Sequence, residues 1–537
     1  MAYRGSVTRL PVGMLGLSGS RNPTQLQAGH FKNCEGVSLD GGLIQKMGGA
    51  IKQNSAALGG GQSILAGISY SPLASVVRDA VFVNTAGSAQ ILKDSGTNTY
   101  PTVLVGGLNR NQVEPHPYFM MGGGEAGGLP RTLFCFSANN QVQCVDGDGG
   151  AMADITAPAA DWAGAGNFPT FGVIHEGRLW GGGNATDPHR LYYSLASDHQ
   201  NISGGGTISV YPGEGERLVG AVSFKGLLIA FKYPKGIYMI DTSDPSPVGW
   251  RCTPLSQAVG GINQHTIIPI DNDVIYMDAG GNIQLLSATN AFGGTNTANI
   301  SQRSEISQFM RDNVDLTKIR RAVGVWYGTK QQAIFSLPQA NGTGDNVIQL
   351  TVDFSNPQTG YRFLKSTRDT ANAMWMRPDT FGVYKPMHGD ASGFVYLMDQ
   401  TARRKDSAGY PFSFETSDMD LSFVDPKLST LNKTGDFLEI IFEPQGDWDL
   451  TVQVIWDDVP GPPIMYSMGG AGAPLGSFTL DTDVLSSTAI RSIRKRIAGS
   501  GRRLRLLVSN SGLDQNVAIS DFILSFRGMD ERVRANA

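Results

Sequence analysis

The sequence predicts an all-β protein: a β-propeller of about six blades with a C-terminal antiparallel β-sandwich-like domain. Short apolar runs broken by Gly, Asn and Asp recur along the chain, as expected for strands joined by tight turns. The starts of these runs lie roughly 40–60 residues apart, which is the spacing of four-stranded propeller blades. The pattern changes after about residue 402.

The propeller prediction depends on seven blocks that share one order: an apolar strand, a polar turn and a second apolar strand. The blocks are residues 79–94, 132–150, 171–194, 221–241, 270–287, 322–355 and 381–400. Their mutual identity is weak. Placing two blocks in one blade gives six blades, while five and seven remain open. The alternative is a series of antiparallel hairpins in a sandwich.

Three segments follow from these patterns. We assign residues 1–62 to an N-terminal arm and leading strands, 63–402 to the propeller and 403–537 to the C-terminal β-domain. A polar hinge, Thr401–Pro411, separates the last two, and alternating apolar residues beyond it, such as Leu450 and Val452, predict strands. Residues 461–476, rich in Gly and Pro, predict a long exposed loop.

Two further segments carry local predictions. The first twenty residues predict an extended arm or edge strand rather than a signal peptide, since their apolar run is short and contains Pro11. Residues 301–316 predict a short amphipathic helix, because Ile306, Phe309 and Met310 have helical spacing. We expect it to pack outside the blades or between them.

Composition excludes several classes of protein. Among 537 residues only 17% are charged, the net charge is −4 and 68 residues are glycine. Disorder is excluded by the 41% hydrophobic content, and collagen by glycines without a period of three. The acidic balance excludes a nucleic-acid binder that is basic throughout. The sequence contains no run of 18 apolar residues, so it predicts neither a transmembrane helix nor a membrane anchor.

The four cysteines, Cys34, Cys135, Cys144 and Cys252, are too few for a disulfide scaffold and contain no CxxC pair. Cys135 and Cys144 flank a predicted tight turn at Asn139-Asn140 and are expected to face each other across a hairpin. A disulfide there remains open. The sparse cysteine usage favours two reduced, half-buried thiols.

Chemical motifs are incomplete wherever they begin. His175-Glu176 starts a zinc-protease motif, but residue 179 is leucine. A formal GxGxxG at residues 122–127 lacks the flanking strand and helix of a dinucleotide site, so we interpret it as a surface loop. Asp146–Gly149 reads as a turn rather than a calcium loop. The sequence therefore predicts no enzyme, and no catalytic, cofactor-binding or metal-binding residue.

Carboxylates that follow blade strands are interpreted as turn formers rather than as the acid pair of a glycosidase. The examples are Asp241, Asp278 and Asp399. Propeller glycosidases place two carboxylates together at the central channel. Sialidase propellers also repeat an S-x-D-x-G-x-T-W turn, which this sequence lacks.

One cluster of positive charge and several glycine-rich loops are the candidate contact residues. The cluster consists of Arg491, Arg494, Lys495, Arg496, Arg502, Arg503 and Arg505. It suits contact with DNA phosphates or with an acidic neighbouring subunit. The alternative is a solvated hairpin whose arginines alternate outward, as in Arg503-Leu504-Arg505. Candidate channel or interface loops contain Gly122, Gly124, Gly127 and Gly469.

Several segments of the sequence, taken in order, match motifs of one family of proteins. The step Asp187–Asp198 is similar to the family's N-R-[VL]-Y-[YW]-S motif, and His175–Trp180 to the strand before it. Leu218–Asp241 resembles a hairpin of the family, and Gly19–Ala50 resembles its opening. The segments VQVIWDD, GRRLRLLVSN and ISDFILSFR resemble its terminal β-domain. Each motif alone is weakly specific, but their order is more telling, and by that order the chain resembles the tail nozzle, or stabilisation (head-completion), proteins of podovirus-type phages.

The resemblance implies a structural virion component that assembles as a ring, usually a homo-hexamer, with no catalytic activity. Such a ring extends the DNA-ejection channel below the portal and adaptor, closes it, and supports tail fibres or spikes. The implied partners are further copies of the chain, the tail adaptor, fibre or spike proteins, and double-stranded DNA passing without sequence specificity. The implied location is the phage tail, assembled in the host cytoplasm. The alternatives are a carbohydrate-binding or glycan-cleaving propeller and a receptor-binding tail protein.

Overall fold

The fold is taken from a computed structural model of the chain. The described residues are 6–19, 26–73, 76–96, 99–109, 118–123, 132–155, 162, 164, 166–213, 217–287, 299–303, 306–356, 360–379, 381–469 and 490–529.

The chain divides into two compact units. The terminal unit comprises Met1–Ala50, Thr351–Arg368 and Asp399–Ala537, so both ends of the chain contribute to it. The propeller unit comprises Ile51–Leu350 and Asp369–Met398.

The first fifty residues form short strands, which belong to the terminal unit together with strands from the end of the chain. The strands are β1 (Ser6–Leu10), β2 (Gly16–Leu17), β3 (His30–Glu35), β4 (Val37–Ser38), β5 (Ile44–Lys46) and β6 (Gly49–Lys52). Along β1 the side chains alternate between more and less exposed, as expected for a strand with one face in solvent.

Seven small sheets follow. The first sheet contains β7 (Ile64–Leu73), β8 (Val76–Asn84), β9 (Ala89–Lys93) and β10 (Thr102–Leu108); the second contains β11 (Tyr118–Gly123), β12 (Thr132–Ser137), β13 (Asn140–Asp146) and β14 (Ala153–Asp154); and the third contains β15 (Phe171–His175), β16 (Arg178–Gly182), β17 (Arg190–Tyr193) and β18 (Gly206–Ser209). The fourth contains β19 (Arg217–Phe224), β20 (Leu227–Tyr233), β21 (Ile237–Asp241) and β22 (Arg251–Ser256), and the fifth contains β23 (Ile267–Pro269), β24 (Val274–Met277) and β25 (Ile283–Leu285). The sixth contains β26 (Val323–Tyr327), β27 (Gln332–Pro338), β28 (Asn346–Asp353) and β29 (Arg362–Ser366), and the seventh contains β30 (Ala373–Pro378), β31 (Tyr384–Gly389) and β32 (Val395–Gln400), with β6 paired to β32.

The seven sheets are the blades of a seven-bladed propeller. The first strand of each blade lies beside the first strand of the next, and β30 lies beside β7, so the circle closes. The propeller prediction is confirmed, but the count of six is wrong. Each of the seven sequence blocks lies in a blade of its own, and merging two of them had no structural basis.

Glycines in the innermost strands allow neighbouring blades to approach closely. A Cβ atom on Gly67 of β7 would lie 2.4 Å from the ring of Trp375 in the last blade. A Cβ atom on Gly172 of β15 would lie 2.3 Å from Cζ of Phe136 in the second blade. Gly220 faces Ile267 in the same way. These glycines are therefore packing positions within strands, whereas the sequence pattern suggested turns.

The last blade is completed by chain from before the first blade. The backbone N–H of Gln53, just after β6, donates to the carbonyl of Val395 at 2.7 Å. The amide side chain of Asn54 accepts from the Val395 N–H at 2.7 Å and donates to the Gly393 carbonyl at 3.0 Å. Asn54 is buried, so this amide fixes the closure by bonds shielded from water.

The predicted helix is confirmed as two short helices, α1 (Ile300–Arg303) and α2 (Ile306–Asn313). Ile306 and Met310 are buried, and Phe309 is half-buried. The Ser307 hydroxyl donates to the Asn282 side chain at 3.1 Å, in the turn between β24 and β25. The helices therefore pack against the fifth blade.

The C-terminal strands belong to two seven-stranded sheets. They are β33 (Phe412–Thr416), β34 (Asn432–Phe442), β35 (Asp449–Trp456), β36 (Val459–Pro460), β37 (Ile464–Ser467), β38 (Arg491–Arg496), β39 (Ser500–Gly501), β40 (Leu504–Asn510) and β41 (Ala518–Met529). One sheet has the order β38-β34-β41-β5-β4, with β1 on β41 and β39 on β34. The other has the order β2-β3-β33-β40-β35-β36, with β37 on β35.

The loop predicted over residues 461–476 is wrong in part. Ile464–Ser467 is strand β37, which pairs antiparallel with β35 from Asp449 to Val452. Gly and Pro concentrate at 461–463, before the strand begins. Residues 470–476 lie outside the described residues.

Cys135 and Cys144 do not face each other. The turn of the β12–β13 hairpin lies at residues 138–139, one residue earlier than predicted, and a bulge follows it, so that Cys135 pairs with Gln143 and Cys144 with Phe134. Because neighbouring positions on a strand point to opposite faces, the two thiols enter different apolar clusters. All four cysteines are free, and Cys34, Cys135 and Cys144 are buried.

We expect three of the four thiols to be unreactive in the native protein. Burial raises the pKa of Cys34 to about 12 and those of Cys144 and Cys252 to about 11, and it also raises the pKa of Cys135; Cys252 alone is partly exposed. Thiolate, the reactive form, is therefore scarce at neutral pH. A colorimetric thiol assay should detect Cys252 at most before denaturation and all four cysteines in guanidinium. Rapid reaction of two or more native thiols would contradict this expectation.

Candidate interaction surface

Four of the predicted basic residues lie on β38, the strand at the end of its sheet order. Its register against β34 places Arg496 opposite Phe437 and Arg494 opposite Glu439. The two arginines share one face of the sheet, and Arg491 and Lys495 share the other, because alternate residues of a strand face opposite ways. The predicted cluster is therefore divided between two faces.

Aromatic rings support the basic side chains of β38. The guanidinium carbon of Arg494 lies 4.2 Å from the centre of the Phe437 ring, a cation–π contact. On the opposite face, Nζ of Lys495 lies 5.6 Å from the Tyr466 ring centre and donates to the Met465 carbonyl at 2.5 Å. A basic strip interleaved with aromatic rings suits a binding surface, for protein or for nucleic acid.

A continuous surface extends from β38 across the sheet. Register places Phe437 opposite Ser525 of β41, and Ser525 opposite Val7 of β1. Val7 is 67% exposed and Phe437 is 37% exposed. We call Val7, Phe437, Arg494 and Arg496 the outer sheet face. It combines two exposed apolar side chains with two arginines, and Glu439 lies on the same face opposite Arg494.

Arg502 and Arg503 lie in the turn between β39 and β40. Their backbone N–H groups donate to the carboxylate of Asp457, at 2.8 Å and 2.9 Å. Asp457 adopts a φ of 45° at the β35–β36 turn, where a non-glycine residue is uncommon. Both arginine side chains are exposed. The turn is thus held through the backbone, which leaves both arginines directed to the surface.

Arg505 is buried, contrary to the predicted outward alternation. Its Nε lies 2.9 Å from Glu415, and its Nη1 lies 3.2 Å from Asp418 and 2.7 Å from Asp458. Burial alone would lower the pKa of Arg505, but these carboxylates outweigh it and raise that pKa. Arg505, on β40, therefore connects strand β33, the segment just after β33 and the β35–β36 turn. It does not serve as a surface contact.

Exchanging Arg505 is expected to destabilise the terminal unit, whereas the same exchange at Arg503 is not. Arg505→Met leaves Asp418 without its cation and Glu415 with Lys32 alone, at 3.0 Å, which costs about 3 kcal/mol in the free energy of unfolding. Arg503→Met changes an exposed side chain and should shift it by about 0.5 kcal/mol or less. Chemical denaturation followed by tryptophan fluorescence measures both. Equal stability of the two variants would contradict the buried ion network.

The candidate glycine loops have different outcomes. Gly122 lies within β11 and pairs with Leu133, so it is a strand residue rather than a loop residue. Gly469 follows β37, and its carbonyl accepts from Nη1 of Arg491 at 2.9 Å, which ties this loop to β38. Gly124 and Gly127 lie outside the described residues.

The prediction that carboxylates after the blade strands form turns is confirmed for Asp278 and Asp241. Asp278 accepts from the backbone N–H groups of Gly280 and Asn282, both at 2.9 Å. Asp241 accepts from the Ser243 N–H at 3.0 Å. Asp399 has a φ of 53°, a turn-like conformation at the end of β32. Asp-Gly at 146–147 is also a turn, with Gly147 at a φ of 62°.

His175 lies at the end of β15 and is buried. Its two ring nitrogens lie 2.8 Å from the hydroxyls of Ser223 and Thr242, and burial lowers its pKa. A Ser–His pair suggests a nucleophile and its base, but the orienting position holds a threonine hydroxyl in place of a carboxylate. The arrangement links neighbouring blades and lacks the acid that stabilises an imidazolium.

Within the part of the chain that the structure describes, no group of three or more His, Cys, Asp or Glu side chains is arranged to hold a metal ion. Over the same residues, no helix combines the length and the apolar character needed to cross a membrane.

No protein-family model and no curated protein matches the chain. Among solved structures, the chain is similar to Raptor from Chaetomium thermophilum, with 9% identity and a TM-score of 0.37 over 66% of this chain and 29% of that one. It is also similar to the WD40 domain of coronin from Toxoplasma gondii, with 11% identity and a TM-score of 0.39 over 68% of this chain and 88% of that one. The chain thus spans less than a third of the Raptor chain's length.

Proposed function

We propose that the chain is a structural subunit of a phage tail, a nozzle ring that extends and closes the DNA-ejection channel below the portal and adaptor. The observation that carries this proposal is a pair of unlike exposed surfaces, one in each compact unit. A ring of identical subunits needs two different surfaces, because each copy must bind its neighbour through one and be bound through the other.

The first surface is the outer sheet face of the terminal unit. The second is the turn between β30 and β31 in the propeller unit, where Phe381 is 88% exposed and Tyr384 is 42% exposed. Asp379 shapes this turn by accepting from the N–H groups of Phe381 and Val383, at 2.8 Å and 3.0 Å. An aromatic side chain held on a rigid turn is a typical anchor of a protein interface.

The chemistry of the two surfaces is complementary. The propeller turn presents aromatic rings beside a carboxylate, and the outer sheet face presents the guanidinium groups of Arg494 and Arg496 beside Phe437. Guanidinium groups pack on aromatic faces and pair with carboxylates, so one surface suits the other. We propose that they meet between adjacent copies, with about six copies closing the ring as the family resemblance implies.

We further propose that the two seven-stranded sheets form the sandwich expected of the C-terminal domain. The rings of Phe414 and Phe522, one from each sheet, lie 6.2 Å apart in an edge-to-face arrangement. The Tyr466 hydroxyl of β37 donates to the Leu438 carbonyl of β34 at 2.9 Å. Contacts of this kind hold two sheets face to face.

DNA is proposed to pass the ring without being gripped. The net charge is −4, and several arginines are already paired, including Arg505 with three carboxylates and Arg527 with Asp436 at 2.6 Å. A channel dense in unpaired cations would bind the phosphates and retard ejection. Adaptor, fibre and spike proteins, and a location in the virion, remain parts of this proposal that the family resemblance supplies.

Mass photometry of the purified full-length chain tests the ring. We expect a concentration-dependent oligomer of about six copies. Phe381→Ser and Phe437→Ser should each yield monomers with unchanged melting temperature. Val248→Ser, which changes a 96% exposed apolar residue elsewhere in the propeller unit, is the matched control and should assemble as the parent does. Assembly that is indifferent to both phenylalanine variants would refute the proposed interface.

Electron cryo-microscopy of the parent particle tests the place of the chain. Density for the seven-bladed propeller in a ring beneath the portal supports the nozzle proposal. Density at a fibre tip instead supports the receptor-binding alternative.

Glycan binding stays the alternative function, and one aromatic cluster bears on it. Trp180, Tyr193 and Trp250 pack together, with ring centres of Tyr193 and Trp250 4.9 Å apart. The guanidinium of Arg178 lies over both Tyr193 and Trp250, at 5.5 Å and 5.7 Å. It occupies the faces on which a sugar would stack, so this cluster does not favour the alternative. A glycan array with the purified chain decides it.

A further inference from the structure

Three turns of the terminal unit emerge at the same end of the sheet that contains β33, β35 and β40. The register pairs Trp456, the end of β35, with Leu504, the start of β40. It pairs Glu415, near the end of β33, with Leu507 of β40. The turn after β33, the β35–β36 turn and the β39–β40 turn therefore lie together. We call their exposed residues the turn surface: Phe423, Val424, Val459, Arg502 and Arg503.

Three apolar side chains of the turn surface are exposed to solvent. Val459 is 68% exposed, and Phe423 and Val424, which are adjacent in sequence, are each 44% exposed. Single exposed apolar residues are common, but three of them at one end of a sheet form a candidate contact site. Because they lie on two separate turns, they make two apolar protrusions rather than a groove.

The turn that carries Phe423 is held in a conformation that most side chains avoid. Leu421 has a φ of 62° and is fully buried, and its carbonyl accepts from the Val424 N–H at 3.0 Å. A left-handed φ is unusual for leucine and costs free energy, which the burial of its side chain must offset. Such strain directly before two exposed apolar residues indicates that their placement serves a contact.

Three carboxylates of these turns are bound within the protein. Asp420 accepts from the Ser422 N–H at 2.9 Å and from its hydroxyl at 2.6 Å. Asp457 accepts from the backbone N–H groups of the two arginines of the turn surface, and Asp458 lies 2.7 Å from Arg505. The acidic groups thus hold the turns, while the side chains of the two arginines are exposed. An anionic partner gains from these arginines, but the apolar protrusions contribute most to the contact.

A lipid surface suits this arrangement better than a protein partner does. Two separate apolar protrusions would need two matching pockets on a protein, because protein interfaces depend on shape complementarity. The boundary between headgroups and acyl chains accepts such protrusions without matching pockets. Basic side chains beside apolar ones are typical of residues that bind this boundary, where the cations meet the phosphate groups.

We propose that the turn surface binds the surface of a lipid bilayer. In this contact Phe423, Val424 and Val459 enter the boundary of the acyl chains, and Arg502 and Arg503 lie against the phosphate groups. The contact is peripheral and reversible, because the apolar area that it buries is small. It is independent of the proposed ring contacts, which use other residues.

Vesicle sedimentation with the purified full chain tests the proposal. We expect binding to phosphatidylcholine vesicles, and about fivefold stronger binding when the vesicles also contain phosphatidylglycerol. Phe423→Ser should weaken binding about fivefold or more, and Val459→Ser about threefold, because each removes inserted apolar area. Phe423→Trp should bind at least as strongly as the parent, since tryptophan favours the membrane interface.

The controls separate lost membrane binding from lost folding or assembly. Val248→Ser removes an apolar residue that is 96% exposed in the propeller unit, and should bind vesicles as the parent does. Phe423→Ser should keep the melting temperature of the parent and its oligomeric state in mass photometry. If Phe423→Ser fails to fold, Val459→Ser, at a more exposed position, decides. Absence of binding to both kinds of vesicle overturns the proposal and leaves a protein as the partner. Equal binding of the parent and the serine variants also overturns it.

Discussion

Replacing Gly172 by valine is expected to lower the free energy of unfolding by about 3 kcal/mol. This is a large effect for a single residue, and it arises because Gly172 is buried within strand β15. The first added carbon would lie 2.3 Å from Cζ of Phe136 and 2.9 Å from Sδ of Met121, both in the neighbouring blade. Neither is a flexible chain end in open solvent, since both side chains are buried. Denaturant titration with intrinsic fluorescence measures the loss.

Two comparisons separate this clash from a general effect of losing glycine. Gly87→Ala introduces a Cβ atom with nothing within 4 Å and should change stability little. The double variant Gly172→Ala with Phe136→Leu should be less destabilised than the sum of its single variants, by about 1–2 kcal/mol, because the smaller leucine leaves room. Strict additivity would show that the two residues do not compete for space.

Asp79 is expected to make the propeller unit less stable as pH rises from 4 to 7. This carboxylate is fully buried; Ser69 donates to it at 2.5 Å and Arg377 lies 2.5 Å away. Burial raises the pKa of Asp79 from 3.8 to about 6, although Arg377 opposes the rise. The folded protein then holds a proton that the unfolded chain releases between these values, so stability is greatest below the unfolded pKa and is lost through the folded one. The difference amounts to about 3 kcal/mol.

The variant Asp79→Asn removes this titration while keeping a side chain of the same shape. We expect its stability to fall less between pH 4 and pH 7 than that of the parent, as followed by thermal unfolding at each pH. Asp241→Asn serves as the control, since hydrogen bonds from Ser243 lower the pKa of Asp241 and place its titration below this range. Parallel pH profiles for the parent and Asp79→Asn would refute the assignment.

The blades were predictable because their signal is local. Each block contains an apolar strand, a turn and a second strand within about 20 residues, a pattern that periodicity alone reveals. The number of blades was not predictable, because the residues of one block do not indicate whether the next block belongs to the same blade. The fifth blade illustrates the difficulty: it shows three strands, and helices α1 and α2 pack beside it.

The side chains at the candidate sites were less predictable, because their surroundings come from distant parts of the chain. The alternation around Leu504 predicts an outward Arg505, yet Glu415 and Asp418, far away in sequence, enclose it. The cysteines of the β12–β13 hairpin were misplaced because its turn lies at residues 138–139, one residue earlier than the pattern suggests, and a bulge then changes the register again. In the sequence Gly172 resembles a glycine of a turn, and only the position of Phe136 beside it shows that it allows close packing between blades.

The strand borrowed by the last blade has a consequence for synthesis on the ribosome. Strand β6 emerges early, at Gly49, but its partner β32 begins at Val395, so the circle of blades stays open until most of the chain has been translated. Such distant pairing is slow to form, because a long loop must close before any bond rewards it. The nascent chain therefore exposes unpaired strand edges for most of its translation, the state in which chaperones bind and in which premature association between copies begins.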